Sequence, residues 1–161
     1  MSWRSRQQTS DNLLVDVYDG RVWRDFQRNH KEFFEGYNIT LMINCDWFAP
    51  YKHVKTNSIG AIYGVILNLP RSIRFKKENV LLFGLIPNMT KEPSSNTFLE
   101  RLIEELILGW DEGLPIPYNN DTIKVKCAVL CVGCDIPASR KLCWFLGKSS
   151  CYYIILALVS L

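Results

Sequence analysis

The stretch "NITLMINCDWFAPY", residues 38–51, decides how this chain folds. Ile39, Leu41, Ile43 and Cys45 alternate with Thr40, Met42, Asn44 and Asp46, and a period of two reads as a strand over 39–45. The strand ends on a carboxylate, with Trp47, Phe48 and Pro50 close behind. An aspartate delivered to such a place either caps a turn or is held there for use.

Working outward, "SIGAIYGVILNLP" (58–70) reads as a second strand, with β-branched residues, small Gly60 and Gly64, and a closing proline. "NVLLFGLIP" (79–87) is a near-continuous apolar run, as expected of a strand covered on both faces. "PSSNTFLERLIEELILGWDEG" predicts the best helix of the chain. Thr97 and Glu100 have capping-box spacing there. Phe98, Leu99, Leu102, Ile103, Leu106, Ile107 and Trp110 form one stripe, and Glu100, Arg101, Glu104 and Glu105 face away. "TIKVKCAVLCVGC" (122–134) predicts a fourth strand, with Lys124 and Lys126 on one side. "DIPASRKLCWFLG" then suits a helix, with Pro137 early and Gly147 as a stop.

The predicted order is β-β-β-α-β-α. Three strands form an antiparallel meander, and the helix crosses over so that the fourth lies parallel to the first. That topology sets Asp46 and Asp135 on neighbouring strand ends. Two carboxylates side by side repel, so such a pair is usually occupied by a divalent cation. Paired Mg²⁺ ions held this way activate a water or a 3′-hydroxyl in phosphodiester chemistry and stabilise the leaving oxygen. The plainer alternatives stay open: Asp135, before Ile-Pro, suits a helix N-cap, and Asp46 a turn.

The whole chain of 161 residues, 48% hydrophobic and 22% charged, has the size and composition of one ordinary globular domain. A net charge of +3 permits contact with nucleic acid without requiring it. The densest basic cluster is "RSIRFKK", with Arg71, Arg74, Lys76 and Lys77; it is either a solvated face or a phosphate-contacting one. "MSWRSRQQTSDN" has no apolar leader, so the protein is not expected to be secreted and its six cysteines are expected to be reduced. The lone C-x-x-C at Cys131 and Cys134 lacks a second pair at zinc-ribbon spacing, which favours buried thiols over a metal site. Residues 1–37 read as a polar extension with a short helix, Trp23, Phe26 and Phe33 on one face and packed on the main domain. The closing "YYIILALVSL" is too short to span a bilayer, and no membrane partner is expected.

Four segments together resemble the transposase of CACTA (En/Spm-type) DNA transposons, in a fungal variant. They are "DVYDGRVWRDF", "DWFAPYKHVKTNSIGAIYGVILNLPRSIRFKKENVLLFGLIPN", "KEPSSNTFLERLIEELILGW" and "VLCVGCDIPASRKLCWFLGK". The resemblance implies an incomplete ribonuclease H-like α/β fold over 38–148, flanked by the 1–37 extension and a divergent apolar tail, 149–161. It implies that Asp46 and Asp135 match the first two acids of an Asp-Asp-Asp/Glu triad binding Mg²⁺ or Mn²⁺. Transposon-end DNA, a full-length transposase or a second copy of the chain are the implied partners, in the nucleus or cytoplasm. Arg71, Arg74, Lys76, Lys77, Lys124 and Lys126 are the candidate DNA contacts. No Asp or Glu follows Asp135, so the family's third acid is missing, unless Glu100 or Glu104 replaces it. The expectation is a transposase fragment cut short after Lys148 and inactive by itself. A non-catalytic module binding nucleic acid or transposase is the alternative, and an unproductive gene model that never folds is a third reading.

Overall fold

The computed structural model describes residues 14–50, 58–87 and 96–134. Its strands are β1 (Ile39–Phe48), β2 (Ile59–Ile66), β3 (Val80–Ile86), β4 (Leu114–Tyr118), β5 (Asp121–Val125) and β6 (Cys127–Cys134). Its helices are α1 (Arg21–Asn29), the single turn α2 (Arg71–Arg74) and α3 (Asn96–Asp111). The main sheet is mixed, in the order β3-β2-β1-β6. β2 is antiparallel to both β1 and β3, whereas β6 runs parallel to β1 after the α3 crossover. This is the predicted meander with a parallel fourth partner, and the chain is an α/β protein.

Alternation along β1 gives the sheet two different faces. Leu41, Ile43 and Cys45 pack with Ile62, Ile86 and Val129 against Leu99 and Leu106 of α3. Gly109 lets the helix come close: a Cβ there would lie 2.4 Å from the Cys127 sulfur. Met42 points to the other face, where Ala128, Leu130 and Leu67 meet Trp23, Phe26 and Phe33. The N-terminal segment is therefore part of the core, and Phe26 is wholly buried among aromatic rings. Trp110, at the end of α3, stacks on Phe33 and links the two cores.

Three details differ from expectation. The predicted fourth strand is two strands: β5 pairs with β4 in a separate hairpin, and only β6 joins the main sheet. The break falls at Lys126, whose N–H donates to Asn38 Oδ1 and whose carbonyl accepts from the Ile39 N–H. The β4–β5 hairpin turns on Asn119 and Asn120, both at positive φ, as a two-residue hairpin turn requires. The helix already includes Asn96 and Thr97, so the expected capping position lies inside it. β3 is not covered on both faces, since Leu82 and Leu85 are exposed.

Candidate functional site

β1 extends to Phe48, so Asp46 lies within the strand, two residues from its end, rather than in a loop after it. Its neighbours explain the aromatic pair. Trp47 turns back to the helix side and lies over Gly60, where a Cβ would come within 2.8 Å of the indole. Phe48 emerges on the opposite face, 47% exposed. Asp46 is exposed on that same opposite face, with Ala61 as its cross-strand partner.

Asp135 lies outside the described residues. The ladder beside it is described up to its last pair, Cys45 with Cys134, and these are the residues immediately before the two aspartates. Among the described residues no group of three metal-binding side chains occurs, and of the two predicted acids they include only Asp46. Its donor chemistry suits Mg²⁺ or Mn²⁺, provided that a second acid joins it. Glu100 and Glu104 are exposed on α3, which packs on the other face of the sheet from Asp46. They do not approach it.

The basic residues cluster at the opposite end. Arg71, Lys76 and Lys77 belong to the β2–β3 connection, and Lys126 adjoins Ile39 at the start of β1. Asp46 lies seven positions along the strand from Ile39, about 23 Å at the usual rise. Lys76, Lys77, Lys124 and Lys126 are exposed, as is Arg71, which donates to the Val15 carbonyl. Arg74 is different. It is only 3% exposed, it grips both oxygens of Asp16 at 2.6 and 2.7 Å, and its Nε donates to the Leu69 carbonyl. Its guanidinium also lies over the Tyr18 ring. Arg74 ties the N-terminal segment to the β2–β3 connection, and its side chain is only 4% exposed, unlike those of the other candidate DNA contacts.

Cys45, Cys127, Cys131 and Cys134 form no disulfide among the described residues. Cys131 packs with the aromatic core, whereas Cys134 pairs with Cys45, whose side chain lies in the helix-side core. The two cysteines of the C-x-x-C thus lie on opposite faces of one strand, poorly placed to share an ion. Both are half-buried rather than largely buried. Burial pushes the Cys127 thiol above its ordinary value. Burial raises Cys131 too, partly offset by the nearby Arg74 cation.

Sequence reasoning misses Asn44. Its side-chain nitrogen is buried with no hydrogen-bond partner among the described residues. Asn44 shares a face with Asp46 two positions on, and its partner across β6 is Gly133. The signal available in the sequence is a polar amide at an inner strand position, which is indistinguishable from ordinary alternation.

The chain is thus an α/β protein whose mixed sheet carries an exposed acid two residues before the end of an inner strand. The family model described as transposase family tnp2 matches residues 11–154, and the chain belongs to that family. The match continues beyond Lys148 into the apolar tail. No curated protein matches the chain. Among the described residues, no helix is long and apolar enough to cross a membrane.

Proposed function

We propose that this chain is the acid-bearing part of a DNA transposase of the CACTA type, built on a ribonuclease H-like sheet. Asp46 and Asp135 are its metal-binding acids, and DNA is its partner, in the nucleus. The observation that carries this reading is the parallel pairing of Cys45 with Cys134, which brings the backbones leading into both aspartates side by side. The strand order, three antiparallel neighbours followed by a parallel one, supports the fold. Asp46 and Asp135 would hold a divalent ion, which would supply Lewis acidity toward a phosphodiester.

Asp46 contributes an exposed carboxylate on a strand, a position that holds its oxygens without a loop's freedom. Arg71, Lys76, Lys77, Lys124 and Lys126 are phosphate contacts in this proposal. A duplex touching both ends of β1 would span about seven base pairs, at about 3.4 Å each. With two acids at the proposed site, one ion of a two-metal site would be poorly held. The chain alone therefore binds DNA and a divalent ion without efficient cleavage.

The test is Mn²⁺ binding and cleavage of transposon-end DNA by the full chain, with Asp46→Ala as control. Mn²⁺ binding lost in Asp46→Ala, with little cleavage in either protein, is expected. Robust cleavage abolished by Asp46→Ala would refute the inactivity, and Mn²⁺ binding indifferent to Asp46 would refute the site. The separation of the cations from Asp46 favours a second reading, a binding module without metal chemistry. It predicts salt-sensitive DNA binding that is unchanged by Asp46→Ala and by chelation.

A further inference from the structure

Four aromatic side chains among the described residues are exposed, Tyr37, Phe48, Phe75 and Tyr118. Phe48 emerges two positions after Asp46, whereas the other three belong to the opposite end of the sheet, with the cations. Tyr37 directly precedes Asn38, whose Oδ1 accepts from the Lys126 N–H. Its ring meets that of Tyr118, from the β4–β5 hairpin, with 6.0 Å between centroids. Phe75 lies in the β2–β3 connection, between Arg71 and the adjoining Lys76 and Lys77. Leu41 pairs with Ile66 in the antiparallel ladder, so the start of β1 and the end of β2 share this end of the sheet. One exposed aromatic needs no explanation. Three at the cationic end of one sheet do.

Phe75 is the most specific of the three. Its ring is 57% exposed, yet the backbone that presents it is tied down on both sides. Arg74, just before it, is buried in the ion pair with Asp16. The Ile73 carbonyl accepts from the Lys76 N–H at 3.1 Å and from Asn79 Nδ2 at 2.9 Å, and the Lys76 carbonyl accepts from the Asn79 N–H at 2.8 Å. A flat ring offered on an ordered turn loses little freedom when something stacks on it. The exposed charges around it are Arg71, Lys76 and Lys77 against the one acid Glu78, which favours a polyanion over an apolar protein surface. A single nucleic-acid strand presents both complements, phosphates for the cations and free base faces for the ring. A duplex keeps its base faces stacked inside and presents phosphates and groove edges.

We propose that this end of the sheet takes single-stranded DNA: the Phe75 ring stacks on an unpaired base while Arg71, Lys76 and Lys77 hold the phosphates beside it. This rests on the DNA partner proposed above and adds a response to unpaired bases that phosphate contacts alone do not give. Tyr37 and Tyr118 extend the ring surface toward Lys126. Every base has a π-face, so stacking of this kind tolerates any sequence. The two contributions can be told apart. The cations supply affinity that falls with salt, and the ring supplies affinity that does not.

The experiment measures binding of the full chain to labelled oligothymidine, and to a duplex of the same length, by fluorescence anisotropy across a salt series. The proteins are wild type, Phe75→Ala, Phe75→Leu and Lys77→Ala, each checked for folding by circular dichroism. Phe75→Ala and Phe75→Leu should weaken oligothymidine binding about fivefold or more with the salt slope unchanged, and leave duplex binding as it was. Lys77→Ala should weaken both ligands and flatten both salt slopes. Phe75 variants that bind oligothymidine as wild type does, or lose both ligands equally, would overturn the proposal, and salt-sensitive duplex binding would then leave the DNA reading standing. No binding of either DNA by wild type at low salt would overturn both. Self-association abolished by Phe75→Ala, with oligothymidine binding unchanged, would overturn the proposal and assign the ring to a contact between copies of the chain. Where Phe75→Ala does not fold, Phe75→Leu decides, because it keeps an apolar side chain and removes the ring.

Discussion

The two ends of β1 are built by opposite rules. At its start, Thr40 is fully buried, yet its N–H and hydroxyl both donate to Asn68 Oδ1, at 2.6 and 2.8 Å. Asn68 completes the link by donating to the Asn38 carbonyl. Close by, Arg74 and Asp16 form a buried ion pair, and the Tyr18 hydroxyl donates to the Leu67 carbonyl. At the far end, Asp46 is exposed and the Asn44 amide nitrogen has no partner among the described residues. One end satisfies its polar groups internally, so it holds the fold together. The other leaves polar atoms uncommitted, which is the condition for meeting a ligand.

The contrast breaks most readily at the buried ion pair. Asp16→Ala should cost about 3–5 kcal/mol, because Arg74 then remains buried without its counter-charge. Urea unfolding followed by tryptophan fluorescence measures it, and a loss near that of an exposed ion pair would show that Arg74 can turn to solvent. A smaller effect is expected at the polar clamp. Asn68→Ala leaves Thr40 with buried unmade donors and should cost about 1–3 kcal/mol, read by the same denaturation.

Thiol ionisation sharpens the comparison through pH. Cys127 and Cys131 have folded-state values raised above the ordinary 9.0 by burial. The unfolded chain therefore loses these protons first. Their contribution to stability is complete below about pH 9 and is lost as pH rises from there through the folded-state values. Stability measured from about pH 8 to 10 should fall, and replacing both cysteines by alanine should flatten the fall. The smallest effect belongs to the far end of the strand. Asp46→Ala should change stability by no more than about 0.5 kcal/mol. A large loss would mean that the carboxylate belongs to the fold, as at the other end.

Local pattern made much of the sheet legible. Period-two alternation in β1, the β-branched run of β2 and the apolar stripe of α3 are all properties of neighbouring residues. So is the stop at Gly113, whose φ of +80° suits glycine. The β4–β5 hairpin was hidden because Pro115 and Pro117 argue against a strand. They are tolerated because β4 is an edge in a two-stranded sheet and needs fewer donors. Local alternation also ran smoothly through Lys126, and only the bonds of its backbone to Asn38 and Ile39 end one sheet and begin the other.

What the sequence by itself determined about this protein is the order of β1, β2, β3 and α3 and the acid near the end of β1. Periodicity and turn chemistry act over a few residues, and a reader of the chain has them in hand. Tertiary structure alone decided that Arg74 is a structural cation while its neighbours Lys76 and Lys77 are exposed, because only the fold brings Asp16 against it. It likewise decided that the cations and Asp46 stand at opposite ends of the sheet, and that Asn44 leans on Gly133. Charge and amide groups take their roles from partners dozens of residues away, and those partners meet only when the strands pair.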